Sequence, residues 1–501
     1  MSKQKRIAVD LEKIAHLVNI SIPVLCLVFA LLGYFVSFYF HFLTVGFVLL
    51  TGLNFFFRHV QKKHALLSNF GLVAQLRYML ESVGPEFRQY LYSSDTEEKP
   101  FSRTERSEIY QKAKGIDSSS AFGSQLLFDE YEIKLRHSMF PKNKKDIPTY
   151  KLVLGEERGI DSAYTLKKTI MISAMSYGSL GRNAIQALAR GAKRAGVVMN
   201  TGEGGFPKYH LMEGCDLIFQ MGTAKFGVRN QEPTLNEAKL EALAAHETIK
   251  MIEIKLSQGA KPGKGGLLPK EKITQEIAEL RGVPMGKDVV SPPHHEECVD
   301  IASTVKFIRR VQEVSQLPTG IKLCLGQDQE LRALVREMKS QSVFPDFLSI
   351  DGAEGGTGAA PKSFMDDVGV PLFHALPVVT RILIEEGVKN RMKLLCAGKL
   401  INPGKQFMAF SMGADAVYTA RGFMLAIGCI QALQCNKNSC PVGITTHVEH
   451  LQGGLDIENK AQRVVNYVNS LEHDHIEMLA AMGESSVRDL TFDHIYWEGK
   501  Y

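Results

Sequence analysis

Cys429, Cys435 and Cys440 fall within twelve residues in the spacing C-x5-C-x4-C, and Pro441 follows the last of them. Thiolates this close together suit a soft metal centre: an iron–sulfur cluster, zinc or Cu(I). A structural zinc site draws a fourth Cys or His at short spacing, and only His447 and His450 lie near. Three ligands suit a cluster of three irons. The alternative is three small residues packed in a helix and the loop behind it, because free cysteine is often simply buried. The other five cysteines, Cys26, Cys215, Cys298, Cys324 and Cys396, are isolated, which fits a reducing compartment.

A second set of reactive residue types lies upstream. Lys255, Gln258 and Lys261 recur every three residues in KLSQGAKPGKGG, a pattern able to give fixed cations and amide donors to a carboxylate ligand. Any one of these lysines alone reads as a solvated rim residue. Around them stand the glycine-rich segments MSYGSLG, TGEGG, GAEGGTGAAP, AGKL and ARG. Glycine there permits positive φ and lets backbone N–H groups close on an oxyanion. GAKPGKGG (259–266) is not a P-loop, since Gly263-Lys264 is followed by glycine, and no G-x-G-x-x-G opens a helix after a strand. HHEE (294–297) lacks the H-E-x-x-H spacing and reads as the polar start of a helix after Pro292-Pro293.

These loops need elements to hold them. Nine short apolar runs begin near 169, 196, 216, 251, 288, 320, 346, 392 and 414, and helical patterns such as Arg182–Ala195, Glu237–His246, Glu271–Arg281 and Ile301–Val314 lie between most of them. Repeated βα units in this number predict an α/β fold, a (β/α)8 TIM barrel, with one run left over. In such barrels the loops after the strands build the active site, and the loops after strands seven and eight hold phosphate. AGKL and ARG occupy those two places.

The whole chain has 501 residues, 45% apolar and 23% charged, with a net charge of +5 and scattered Lys and Arg, so nothing points to nucleic acid. One stretch departs from this balance. Ile14 to Phe57 is 44 residues without Asp, Glu, Lys or Arg, enough for two bilayer spans at about 20 residues each. The expectation is a transmembrane helical hairpin with spans near Leu17–Val36 and Phe38–Phe57, forming a membrane anchor over 1–60. Lys3, Lys5, Arg6 and Lys13 precede it and Arg58, Lys62 and Lys63 follow, which puts both ends in the cytoplasm, at the cell inner membrane. A cleaved signal peptide would be far shorter. Residues 61–150 read as a helical collar without visible chemistry, and 451–501 as C-terminal helices.

The segments MSYGSLG, TGEGG, QMGTAKFGVR, IKLSQGAKPGKGG, SPPHH, DGAEGGTGAAP, GADAVYTARG and GCIQALQCNKNSCPVG together resemble the FMN-binding synthase domain of the glutamate synthases, over about 151–450 and in order. The resemblance implies FMN in the barrel mouth and a [3Fe-4S] cluster on Cys429, Cys435 and Cys440. It implies reductive amination of 2-oxoglutarate to glutamate by hydride transfer to C2 of 2-iminoglutarate, made with ammonia. Lys255, Gln258 and Lys261 would hold the carboxylates and Glu203 would face the incoming ammonia. Met175, Ser176, Lys322, Gly355 and Gly356 would border the flavin, with Gly398 and Gly422 on its phosphate. The electron donor would be a ferredoxin, a partner flavoprotein or a membrane quinol.

Three departures stand against a complete match. The long enzymes open on a glutaminase domain with an N-terminal cysteine, whereas this sequence opens Met1-Ser2, so glutamine would serve only through a separate amidotransferase. Lys264 stands where those enzymes usually carry an acid, and their C-terminal β-helical domain is replaced here by helical sequence. Two rival functions remain: an FMN barrel oxidoreductase acting on another 2-oxo or 2-amino acid, and a membrane-tethered electron-transfer module.

Overall fold

A computed structural model describes residues 11–61, 63–116, 119–124 and 133–497. The chain divides into two compact units, Met1–Arg103 and Thr104–Tyr501.

In the first unit the uncharged stretch folds into two helices, α1 (Leu11–Phe35) and α2 (Phe40–Phe55), joined by a tight turn, and α2 continues as a π-helical turn over Phe56–Val60. Lys13–Phe35 and Phe40–Val60 are each long and apolar enough to cross a membrane. Only 11% and 6% of their most apolar windows are buried, whereas the core helix of a soluble protein would be mostly buried. The two helices meet through aromatic stacking of Phe29 on Phe47 and Phe40. Asn19 and Asn54, the polar residues that interrupt the stretch, satisfy each other: Asn54 Nδ2 donates to Asn19 Oδ1 at 2.9 Å, and Asn54 Oδ1 accepts the Leu72 N–H at 2.9 Å. An unpaired amide among apolar side chains is costly, and this pairing removes the cost. Ala65–Phe70 and Val73–Phe87 follow in this unit, and the second runs on as a π-helical turn over Arg88–Tyr92.

The second unit is a closed barrel of eight parallel strands: β1 (Ile170–Ile172), β2 (Met199–Asn200), β3 (Leu217–Met221), β4 (Ile249–Lys255), β5 (Thr319–Leu323), β6 (Phe347–Asp351), β7 (Lys393–Ala397) and β8 (Ala416–Thr419). The TIM-barrel expectation is met, and β8 pairs with β1 to close the ring. The leftover run is DVV. Val289–Val290 pairs antiparallel with Leu267–Leu268 in a hairpin outside the barrel, because the loop after β4 is long enough to fold back on itself.

Side chains alternate along β4, so Met251, Glu253 and Lys255 fall on one face at three heights. Met251 belongs to an apolar floor with Met171, Val198, Ile218, Phe347, Leu395 and Ala416, sealed from below by the hairpin Leu152–Leu154 with Tyr164–Leu166. Gly320 on β5 is required there, since a Cβ would come within 2.2 Å of the Phe347 ring. Glu253 lies in a polar middle layer, and Lys255 emerges at the mouth. Outside, α3 (Arg182–Ala195) packs closely on α4 (Ile457–Met482), where a Cβ on Gly191 would meet Val464 at 2.4 Å.

Candidate active site

The middle layer is a buried carboxylate with a full set of donors. Glu253 is fully buried; its Oε1 accepts Asn200 Nδ2 at 2.8 Å and Gln220 Nε2 at 2.7 Å, and its Oε2 accepts Ser349 Oγ at 2.8 Å and Tyr418 OH at 3.2 Å. Four strands thus meet on one acid. An ion is tolerated in a barrel interior only when its lone pairs are satisfied this way.

Above it sits the second layer. Lys255 Nζ donates to Glu203 Oε1 at 2.6 Å and to Gln258 Oε1 at 2.9 Å, so three of the four residues expected to handle substrate are joined. Burial pushes the Glu203 carboxyl up, but Lys255, then Arg281 and Lys261, pull it below the usual carboxylate range. Glycines give Glu203 its room: a Cβ on Gly222 would fall 2.1 Å from Oε2, and one on Gly266 would fall 2.8 Å from Oε1. Lys261, the fourth residue, is buried and donates to the Ala359 carbonyl at 2.9 Å. Burial, with the neighbouring Lys255 and Lys264 charges, lowers it to about 8 against the pull of Glu203.

Lys322, on the strand next to β4, pairs with Asp351 at 3.4 Å. Burial disfavours its charge, but Asp351 and Glu253 outweigh that and hold the ammonium above the ordinary lysine range. Asp351 Oδ2 also accepts the Gly259 N–H at 3.0 Å, which seats the 255–264 loop beside β6. Met175 and Ser176 are buried in the loop after β1, and the carbonyl of Met175 meets Nε2 of the fully buried His210 at 3.2 Å. Burial pushes His210 down to about 4, so the imidazole is neutral and its Nε2–H donates.

At the ends of β7 and β8 the two expected glycines are flanked by cations. Lys399 follows Gly398 and Arg421 precedes Gly422; Arg421 Nη2 donates to the Glu354 carbonyl at 2.5 Å. Burial lowers both cations, and Lys399 is lowered further by the Arg421 charge, so two like charges have been brought together at partial burial. Gly355 and Gly356 lie in the loop after β6, where a Cβ on Gly356 would press on Arg421 Nε at 3.0 Å. Two cations with glycine backbone at the ends of strands seven and eight fit a phosphate group.

The cysteine segment rests directly on the loop after β1. Gly181 N–H donates to the Ile444 carbonyl at 2.9 Å, His447 Nε2 contacts the Gly178 carbonyl at 2.9 Å, and the His447 ring meets Tyr177 edge-on at 5.5 Å. Burial raises the Cys440 thiol, but backbone N–H groups of Thr445, Val442 and Ile444 and the Thr445 hydroxyl aim at its sulfur and bring it below the ordinary range. Burial raises Cys429 to about 11 despite the Gln431 N–H 3.4 Å from its sulfur, and it also raises Cys435. Among the described residues no three His, Cys, Asp or Glu side chains converge on a single-ion position. A polynuclear cluster makes a different demand, one thiolate per iron, with soft donors and N–H groups directed at sulfur, and these three cysteines fit it in kind.

One sequence expectation fails here. HHEE does not start a helix; the helix begins at Ile301, capped by Asp300. His295 instead turns inward, its Nε2 3.0 Å from the Lys255 carbonyl, and Glu297 pairs with the fully buried Lys225 at 2.6 Å. Sequence reasoning also passed over Glu253, Asp351, Lys399, Arg421 and Lys272. Lys399 and Arg421 had a signal, a cation adjoining glycine in both loops expected to hold phosphate. Glu253 had a fainter one, a lone acid two residues before Lys255 in an otherwise apolar run.

Comparison with known proteins bears on this site. The family model for the conserved region in glutamate synthase matches residues 106–485. The glutamate synthase large subunit-like protein YerD of Bacillus subtilis is 37% identical over 476 residues, covering 87% of this chain and 90% of that protein. An archaeal glutamate synthase (NADPH) of Methanocaldococcus jannaschii is 36% identical over 325 residues, 65% of this chain and 61% of the relative. The chain therefore spans about three fifths of the archaeal-type relatives. The glutamate synthase (NADPH) large chain of Bacillus subtilis is 29% identical over 330 residues, only 20% of its length.

Proposed function

Since the chain belongs to the glutamate synthase family, we propose that it is an oxidoreductase that converts 2-oxoglutarate and ammonia to glutamate, with FMN in the barrel mouth and a [3Fe-4S] cluster on Cys429, Cys435 and Cys440. The observation that carries this reading is the joined set Lys255, Glu203 and Gln258 with Lys261 beside it, a group suited to a dicarboxylate and an amine at one place.

Each residue has a role that follows from its surroundings. Lys261 donates to a single carbonyl among the described residues, so it takes one carboxylate of 2-oxoglutarate by a charge-assisted contact. Lys255 is already engaged by Glu203 and Gln258, and it orients the other end of the substrate while keeping its carboxylate partner. Glu203, ionised at neutral pH, accepts N–H bonds from the incoming nitrogen. Condensation expels water from C2 and leaves 2-iminoglutarate, and a hydride with a proton completes glutamate. Reduced FMN, when bound, supplies that hydride. Lys322 keeps its proton beside Asp351 and offers a fixed positive charge to the reduced ring system. Met175, Ser176, Gly355 and Gly356 would border the ring, and Gly398 and Gly422 with Lys399 and Arg421 would hold the phosphate.

Cys429, Cys435 and Cys440 would hold the cluster, which would supply the entry point for electrons from a ferredoxin, a flavoprotein or a quinol. The apolar hairpin anchors the chain in the cell inner membrane with the barrel in the cytoplasm, a reading supported by the exposure of both helices and the positive residues at either flank. The test is anaerobic: photoreduced protein is mixed with 2-oxoglutarate and ammonium, and flavin reoxidation is read with glutamate formed. Reoxidation should need both reactants. A reducible flavin that ignores them would give weight to another 2-oxo acid as substrate, a reading favoured by the third cation, Lys264, near Lys261.

A further inference from the structure

Lys272 is assigned no role by the family resemblance, yet it is 2% exposed and sits between the two loops that matter most for electron entry. It ends a short 3-10 turn, Lys270–Lys272, which follows the outer hairpin strand Leu267–Leu268. Its ammonium donates to two carbonyls, that of Ser179 in the loop after β1 and that of Cys435 at 3.2 Å in the cysteine segment. A second tie joins the same turn to the same segment: Asn438 Nδ2 donates to the Glu271 carbonyl at 2.8 Å. So a buried ammonium is held where it touches both loops and hydrogen-bonds the backbone of one of the three cysteines.

A lysine is expensive to bury, and two neutral carbonyls alone are poor compensation. The missing compensation is negative charge on the cysteines. Thiolates carrying an iron–sulfur cluster supply it, and a cation fixed beside such a centre favours the state with the extra electron. We infer that Lys272 is a positioning residue for electron entry: it pins the cysteine segment to the loop after β1 and raises the reduction potential of the centre bound by Cys429, Cys435 and Cys440. This rests on the cluster reading above. Lys272 accepts no electron and touches no substrate; it acts through the charge it places next to Cys435.

The test uses the full chain with its cluster reconstituted. Iron and acid-labile sulfide are counted, and the EPR signal of the oxidised cluster is followed through a redox titration in wild type, Lys272→Gln and Lys272→Arg. In Lys272→Gln the ratio of oxidised to reduced cluster at fixed potential should rise about tenfold, a downward shift of about 59 mV for one electron. Lys272→Arg should restore most of the shift, because it keeps the charge. A Lys272→Gln protein that folds but cannot hold the cluster, beside a loaded Lys272→Arg, supports the same charge requirement through retention. Equal potentials in wild type and Lys272→Gln would overturn the inference and leave the cluster reading intact. So would an arginine variant that behaves like glutamine, or two variants that both fail to load, which would make Lys272 a structural anchor only. Wild type without iron and sulfide after reconstitution would overturn the cluster reading itself, and this inference with it.

Discussion

Lys261 should make 2-oxoglutarate binding sensitive to pH in a range where the substrate does not change charge. Both substrate carboxylates are ionised above neutrality, so the variable partner is the lysine. Burial and two neighbouring cations lower Lys261 to about 8. With that value, about ten molecules in eleven carry the charge at pH 7 and about one in eleven at pH 9, so apparent affinity should weaken about tenfold across the interval. The sign is fixed: the protonated form binds, so binding is tight below about pH 8 and is lost as pH rises through it. A carboxylate arriving beside the ammonium also raises its pKa, so binding near pH 8 to 9 should take a proton from solution. Calorimetry of 2-oxoglutarate against the oxidised protein, without ammonia and in two buffers of different ionisation enthalpy, reads both effects. Lys261→Arg keeps its charge throughout and should show a flat profile. A dissociation constant that does not change from pH 7 to 9, with no proton uptake, would refute the placement of a carboxylate on Lys261.

Cys435→Ser should remove most iron and sulfide while FMN content stays near wild type, as judged by metal analysis and flavin absorbance. Glu253→Ala would leave Asn200, Gln220, Ser349 and Tyr418 without their shared acceptor, and the barrel should lose about 3 kcal/mol or more, read as a lower denaturant midpoint. In Gly259→Ala the new Cβ would lie 1.8 Å from the Gly352 carbonyl, so the 255–264 loop must move; 2-oxoglutarate affinity should drop more than tenfold with the far-UV spectrum unchanged. The full chain should resist alkaline carbonate extraction from membranes, and removal of residues 1–60 should release a soluble yellow protein; release of the intact chain by carbonate would count against the anchor.

Much of the barrel was legible because the strands are apolar runs and most have a glycine-rich loop behind them, a pattern that needs no long-range information. Val289–Val290 misled for the same reason. Its composition is that of a strand, and only its pairing with Leu267–Leu268 reveals that it lies outside the ring. HHEE misled in the opposite sense: two adjacent prolines and four polar residues look like a helix start, but His295 is buried through a contact 40 residues away in sequence. The site was legible as a set of residue types in loops. Which of them touch was not: that Lys255 is held by Glu203, and that Lys322 answers to both Asp351 and Glu253, depends on the stagger between neighbouring strands.

The seam of the ring joins Val417 to Ile170, Tyr418 to Met171 and Thr419 to Ile172. These partners lie 247 residues apart in the chain, and at about 5–20 residues per second a ribosome needs about 12–50 s to deliver the second after the first. Throughout that interval β1 is a strand with one open edge, a form that invites pairing with other chains. The hydrophobic hairpin has by then already left the ribosome, so a nascent chain held by it would be kept apart from its neighbours while its last strand is still being made. The segment with the three cysteines follows β8 directly, so the closing of the ring and the arrival of those cysteines are a single late event of biosynthesis.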